Sequence, residues 1–103
     1  MTSLIKLDYD SPTLRRYYER KWVIKYLDLT PLWIEIDKTK HGGHHVRINV
    51  KEDLKPIVIA FIQIAMGSDY RREIYNLFRI MKGFKRWNAL FRGTEKKVAQ
   101  EVS

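Results

Sequence analysis

Three short segments of the chain alternate between apolar and polar residues, and each alternation predicts a β-strand. They are LIKLDYD (residues 4–10), TPLWIEID (30–37) and HHVRINV (44–50), and the last two form a predicted hairpin around the turn KTKHGG. The predicted core side carries Ile5, Leu7, Tyr9, Ile34, Ile36, His44, Val46, Ile48 and Val50. The predicted open side carries Lys6, Asp8, Asp10, Trp33, Glu35, Asp37, His45, Arg47 and Asn49.

Apolar residues recur at helical spacing in three further segments. Residues 12–28 predict one helix that is capped by Ser11 and buries a broad apolar stripe of Leu14, Tyr17, Tyr18, Trp22 and Ile24. Residues from Asp53 or Pro56 to Met66 predict a helix that is apolar nearly all round and therefore the most buried. Ser68 is the predicted cap of the last helix, DYRREIYNLFRIMK, whose predicted buried side is Tyr70, Ile74, Leu77, Phe78 and Met81.

The order of these elements predicts the fold class. With RWNALF (86–91) as a fourth strand, the order is β-α-β-β-α-α-β, which predicts an α+β two-layer sandwich: a mostly antiparallel sheet with helices on one face. This order resembles the ferredoxin-like or RNA-recognition-type (RRM-like) topology with one extra helix. Residues 1–93 are predicted to form a single domain, and residues 94–103 a polar C-terminal tail or short terminal helix.

Charge gives the first indication of a partner. The 103 residues carry a formal charge of +8, and the pI near 9.8 is typical of proteins that bind polyanions, nucleic acid first. We expect DNA rather than RNA. There is no cysteine, which excludes disulfides and thiolate chemistry and is compatible with a hyperthermophilic source. No apolar run is long enough for a membrane span and no secretory signal is recognisable, so an intracellular setting is expected.

The open side of the predicted sheet is where chemistry is expected. Neighbouring strands lie roughly 5 Å apart, so Asp8, Asp10 and His45 are predicted to converge there. Two carboxylates on one face repel each other unless a cation or basic group lies between them. Hard oxygen ligands suit Mg²⁺ or Mn²⁺, and a neighbouring histidine and Arg47 suit nucleotide phosphates.

IKLDYD followed by TKHGGHHVRI resembles the archaeo-eukaryotic primase superfamily. The resemblance implies that Asp8 and Asp10 bind a catalytic divalent metal and that His45 contacts nucleotide phosphates. The chain also resembles small proteins of archaeal viruses and plasmids, in which a similar segment stands where this chain has GSDYRREIYNLFR. This second resemblance implies replication or genome handling in the host cytoplasm.

Several functions remain open on the sequence alone. No apolar strand ending in an acid follows residue 50, and Asn76 stands where the viral relatives have an acid, which favours nucleic-acid binding over a metal-dependent nucleotidyltransferase or nuclease. A rolling-circle-type nicking enzyme is disfavoured because His44 and His45 are adjacent and face opposite sides of a strand. A protein–protein interaction factor, including a homodimer, is the remaining alternative. The predicted nucleic-acid contacts are Lys6, Trp33, Arg47, Arg71 and Arg72.

Overall fold

A computed structural model describes residues 1–88 in full and residues 94–101 by their backbone. These described residues form one four-stranded antiparallel sheet in the order β1-β3-β2-β4. This confirms the predicted α+β class with a mostly antiparallel sheet. The elements are β1 (Ser3–Tyr9), α1 (Arg15–Arg20), α2 (Trp22–Tyr26), β2 (Pro31–Thr39), β3 (His44–Val50), α3 (Pro56–Ala65), α4 (Tyr70–Met81) and β4 (Thr94–Glu101).

The alternating pattern of β1, β2 and β3 sets the core. Every residue that was predicted to face inward on these strands is less than 9 % exposed, including His44, whose ring Nδ1 lies 3.1 Å from the carbonyl oxygen of Ser11. The helices add buried side chains to this layer, among them Tyr17 from α1 and Met66 after α3. Because period-2 alternation leaves only one apolar face, the sheet must bury that face under the helices.

The fourth strand does not lie where the sequence predicted it. Residues 86–88 form no strand, and residues 89–91 lie outside the described residues. The segment predicted as a polar tail contains β4 instead, which pairs antiparallel with β2. In the RRM-like arrangement the last strand would lie beside β1, but here β1 is an edge strand.

The first predicted helix is two short helices separated at Lys21. It begins three residues later than predicted, because the Ser11 hydroxyl accepts a bond from the Thr13 N–H in a local turn and Leu14 takes the N-cap position. Tyr17, Val23 and Ile24 are buried. Tyr18 and Trp22 were predicted to be buried and are 51 % and 57 % exposed, so the prediction was wrong for these two side chains.

The orientation of α4 is the opposite of the prediction. Its buried side chains are Arg72, Glu73 and Asn76, whereas four of the five side chains predicted to be buried face solvent, and only Leu77 of that set packs against the core. Asp69, not Ser68, caps the helix by accepting a bond from the Arg71 backbone N–H. The α3 helix lies within the predicted bounds. It was predicted to be buried on all sides, but Ile57, Val58, Phe61 and Ile64 form an exposed side.

Polar groups from this helical region seal the outer edge of β1. Gln63 accepts the Lys6 N–H (2.9 Å), Arg72 donates to the Lys6 carbonyl (2.9 Å), and Asn88 donates to the Leu4 carbonyl (3.4 Å). Ser68 Oγ accepts the Asp8 N–H (2.9 Å), and the Asp69 N–H donates to the Asp8 carbonyl (2.7 Å). An unpaired edge strand exposes such groups to other chains, and here side chains and loop backbone occupy them.

The turn between β2 and β3 consists of residues 40–43, which lie within the predicted turn KTKHGG. Gly42 adopts φ +85°, the left-handed region that favours glycine. Gly43 is needed for a different reason, because a Cβ there would lie 2.7 Å from the Tyr9 carbonyl oxygen. His41 is exposed in this turn, as expected. Among the described residues no helix is both long and apolar enough to cross a bilayer.

Candidate nucleic-acid interface

The polar face of the sheet carries two rows of residues that the strand register brings together. Lys6, Arg47 and Glu35 face each other across β1, β3 and β2 in one row. Asp8, His45 and Asp37 form the next row. Trp33 lies on the same face opposite Asn49 and is half-buried. Alternation along the strands thus places every residue that was predicted for the open side of the sheet on β1, β2 or β3, except Asp10, which follows the end of β1.

Ion pairs on this face use most of its charge. The Arg47 guanidinium contacts both Glu35 and Asp37, and Asp37 is only 3 % exposed. His45 Nε2 lies 3.5 Å from Asp8 Oδ1, and His45 is 4 % exposed. Burial lowers the pKa of Lys6, and the guanidinium groups of Arg72 and Arg47 lower it further.

The described side chains of this face therefore show no surplus of positive charge. Two bases, Lys6 and Arg47, stand among three acids. A phosphate backbone is attracted by uncompensated lysines and arginines, and the described side chains of this face carry no net positive charge for it.

Arg72 was predicted to contact nucleic acid, and the structure corrects this prediction. Its side chain is 1 % exposed and donates 2.5 Å to Glu73 Oε2 and 2.7 Å to Asn88 Oδ1. Burial lowers the pKa of Arg72, and the neighbouring Glu73 carboxylate opposes that shift. The next residue towards the N-terminus, Arg71, is exposed and lies over the Tyr70 ring, with the guanidinium carbon 5.9 Å from the ring centroid.

A cleft of about 900 Å³ opens between α1, the end of β1 and the start of α4. Both predicted metal ligands line it. Asp8 is the next-to-last residue of β1, and the exposed Asp10 directly follows this strand. Four arginines line the same cleft, Arg15, Arg16 and Arg20 of α1 and Arg71 of α4, together with five acids: Asp8, Asp10, Glu19, Asp69 and Glu73. Tyr70 first, then Asp69 and to a smaller extent Asp10, raise the pKa of Arg71.

The structure brings Asp8 and His45 together and places Asp10 in the same cleft as Asp8. Among the described residues, no group of three or more histidine and acidic side chains is arranged to hold a metal ion. The two carboxylates do match Mg²⁺ chemistry, since this ion is commonly held by one or two carboxylates together with substrate phosphates. The predicted divalent metal site therefore stays a prediction.

An exposed aromatic stripe runs along α1 and α2. Tyr18, Trp22 and Tyr26 follow each other at intervals of four residues and are 51 %, 57 % and 78 % exposed. The Trp22 and Tyr26 rings meet edge to face at 5.8 Å, and Lys21 Nζ lies 5.4 Å from the Tyr18 ring centroid. We call these three residues the aromatic stripe.

Basic side chains surround the aromatic stripe. Between residues 15 and 26 the chain has five bases and one acid, Glu19, which pairs with Arg15 at 3.4 Å. All of the bases are exposed: Arg15, Arg16, Arg20, Lys21 and Lys25. Arg20 also donates to the Ala65 carbonyl (3.0 Å), which ties α1 to the end of α3.

The aromatic stripe was missed because the helix has two apolar stripes. One contains Tyr17 and Ile24, and the other contains Tyr18 and Trp22. The periodicity of 3.6 cannot decide which of them faces the sheet. Neighbouring charges do not decide it either, since Arg16 precedes the buried Tyr17 just as Lys21 precedes the exposed Trp22.

No protein-family model matches this chain, and neither a curated protein nor a solved structure is similar to it. The resemblance to the archaeo-eukaryotic primase superfamily therefore stays a prediction from the motifs around Asp8, Asp10 and His45.

Proposed function

We propose that this protein binds single-stranded nucleic acid along the aromatic stripe of α1 and α2 and into the adjoining arginine-lined cleft. The observation that carries the proposal is the exposure of Tyr18, Trp22 and Tyr26 among five exposed basic residues. Large aromatic side chains are rarely left in water without a function when they form a contiguous patch.

The chemistry of the stripe suits unpaired bases. A base stacks on an aromatic ring whatever its sequence, and each such stack contributes about 1–3 kcal/mol. Lysines and arginines beside the rings neutralise the phosphates between successive bases. A duplex hides its base faces, so exposed rings favour a single strand.

The cleft extends the proposed path. Arg15, Arg16 and Arg20 belong to α1 and line the cleft, and Arg71 lines it from α4. Five acids line the cleft as well, so a strand that stacks on the stripe would bind these guanidinium groups individually, through their bidentate geometry toward phosphate oxygens, and not through a net positive charge of the cleft. DNA is the ligand proposed first, and genome handling of an archaeal virus or plasmid in the host cytoplasm is the proposed setting.

The direct test is fluorescence anisotropy with labelled 20-nucleotide single-stranded DNA, single-stranded RNA and duplex DNA at several salt concentrations. Trp22→Ala should weaken single-strand binding about 5- to 150-fold, the equivalent of one lost stack. The double variant Lys21→Gln, Lys25→Gln should lower the slope of log K against log salt by about 1.4, at 0.7 per phosphate contact.

Matched controls separate the surface from general charge and aromaticity. Phe84→Ala removes another exposed aromatic residue, and Lys51→Gln with Lys55→Gln removes two other exposed lysines. Each control should leave single-strand affinity within about twofold of the unmodified protein. Equal losses in the Trp22 and Phe84 variants, or no single-strand binding at low salt, would refute the proposed interface.

A second candidate function is supported by the lining of the cleft. Asp8 and Asp10 lie there among arginines, an arrangement in which carboxylates can hold Mg²⁺ or Mn²⁺ while arginines bind the phosphates of a nucleotide. In this function, the protein is a metal-dependent nucleotidyltransferase or nuclease that uses Asp8 and Asp10, with His45 next to Asp8.

Metal dependence distinguishes the two functions. If the cleft is catalytic, Mn²⁺ should raise the melting temperature and allow cutting or extension of labelled DNA. The double variant Asp8→Asn, Asp10→Asn should lose both effects, while Asp53→Asn, at an exposed site elsewhere, should keep them. Binding of DNA that remains intact with and without Mn²⁺ would leave the protein a binding module only.

A further inference from the structure

The apolar stripe of α4 faces water, which is unusual for an amphipathic helix. Tyr70, Ile74, Phe78 and Met81 follow at helical spacing and are 66 %, 48 %, 54 % and 78 % exposed. The opposite side of the helix is occupied by the buried polar groups that seal β1. An amphipathic helix is expected to bury its apolar side, so this side is left for contact with another molecule.

One side of α3 continues this surface. Ile57, Val58, Phe61 and Ile64 are 39 %, 40 %, 61 % and 42 % exposed. The helix contains no charged residue from Pro56 to Ala65. Ile64 of α3 and Tyr70 and Ile74 of α4 line the arginine-containing cleft described above, so the exposed sides of α3 and α4 adjoin and this surface borders the proposed nucleic-acid path. We call these two sets of four side chains together the apolar helical face.

The size of the apolar helical face is that of a protein interface. Its eight side chains are 39–78 % exposed. At about 150–200 Å² for each large side chain, they leave roughly 800 Å² in water. A standard interface buries about 800 Å² on each partner, whereas patches on monomers are usually 300–600 Å².

We propose that a second copy of this chain covers the apolar helical face, so that α3 and α4 form the interface of a two-fold symmetric dimer. An uncharged centre is self-complementary and needs no opposite charge from its partner, as in homodimer interfaces. The flanking bases Lys55, Arg71 and Lys82 are exposed at the helix ends, where a rim residue stays hydrated. These rim charges have one sign, so salt should tighten the dimer or leave it unchanged.

The test is sedimentation equilibrium of the full chain from about 1 to 100 μM at low and high salt. The expected mass is twice the 12.4 kDa of one chain. Phe61→Lys and Phe78→Lys each place a charge at the centre of the interface and should raise the dimer dissociation constant at least about 30-fold, the loss typical of a central anchor. Both sites are more than half exposed, so the monomer should fold, which far-UV circular dichroism checks.

Tyr26→Lys is the matched control, because Tyr26 is 78 % exposed but lies on α2. It should leave the dimer mass unchanged. A monomeric protein at 100 μM would overturn the proposal, and so would a dimer that persists in both phenylalanine variants. The proposal would also be overturned if the monomeric protein sedimented with anionic lipid vesicles and the Phe61→Lys variant did not. The apolar helical face would then bind a membrane surface.

Discussion

Arg72 is the residue whose replacement tests the interpretation of α4 most directly. It is 1 % exposed and donates to the Glu73 carboxylate, the Lys6 carbonyl and Asn88. Arg71 precedes it on the same helix, is exposed and donates its backbone N–H to the helix cap. The chain thus offers two adjacent arginines that differ in burial.

The expected magnitude follows from the buried pair. Arg72→Met keeps the length of the side chain but leaves Glu73, also 1 % exposed, without its guanidinium partner. Breaking a buried ion pair from one side costs about 3–5 kcal/mol. This is a large share of a domain stability of about 5–15 kcal/mol. Arg71→Met should cost less than about 0.5 kcal/mol, because it removes only an exposed charge.

Urea denaturation of both variants at neutral pH gives the comparison. The double variant Arg72→Met, Glu73→Leu should be less destabilised than Arg72→Met alone, because no unpaired buried charge remains. If Arg72→Met costs no more than Arg71→Met, the buried network at the edge of β1 is refuted. The single variant Glu73→Leu completes the comparison. If the loss of stability in the double variant equals the sum of the losses in Arg72→Met and Glu73→Leu, the ion pair between Arg72 and Glu73 is refuted.

Two further predictions concern Tyr9 and the hairpin turn. Burial, and secondly Tyr17, raise the pKa of Tyr9 above its ordinary 10.0, so the folded protein keeps this phenol protonated where the unfolded chain ionises. Its stabilising contribution, which includes a 2.8 Å bond to the Met66 carbonyl, is complete below pH 10 and is lost above it. Tyr9→Phe should therefore lower the free energy of unfolding by about 1 kcal/mol at pH 7. Urea denaturation should show that the difference from the unmodified protein becomes smaller above pH 10. A difference that does not change with pH would contradict the raised pKa of Tyr9. Gly43→Ala should cost about 1–3 kcal/mol because its Cβ would meet the Tyr9 carbonyl oxygen, and an unchanged urea midpoint would show that the turn can move.

The strands could be predicted from sequence because one local rule decides them. Alternation along β1, β2 and β3 fixes which side chains face the helices, and Ile5, Ile36 and Val46 are fully buried as expected. The same rule placed Asp8 and His45 on one face, where they lie 3.5 Å apart. The position of β4 was not predictable in this way, because its sequence, TEKKVAQE, is polar and its pairing with β2 is a long-range event.

The helix faces could not be predicted, because a helix buries whichever side its surroundings require. Apolar periodicity on α4 predicts that Phe78 lies in the core. However, the backbone N–H and carbonyl groups on the outer edge of β1 need hydrogen-bond partners, so polar side chains face β1 and Phe78 faces solvent. Gln63, Arg72 and Asn88 meet that requirement together, although they are separated in sequence by up to 25 residues. This also explains why Arg72 was wrongly predicted to bind nucleic acid: sequence alone does not distinguish it from Arg71.

The sealed edge of β1 and the exposed apolar helical face are two consequences of one choice. Five backbone groups of β1 gain partners in the helical region, and one of them, the Lys6 carbonyl, is bound by a side chain of α4 itself, Arg72, at a net gain of about 0.5–1.5 kcal/mol. Turning α4 over would instead bury four large side chains that are 48–78 % exposed, worth roughly 4–7 kcal/mol at 1.5–3 kcal/mol for complete burial. In a single chain this apolar burial alone would therefore outweigh that one hydrogen bond. A second copy that covers the apolar helical face adds the second gain to the first, which is the physical reason to expect the observed orientation of α4 in a dimer.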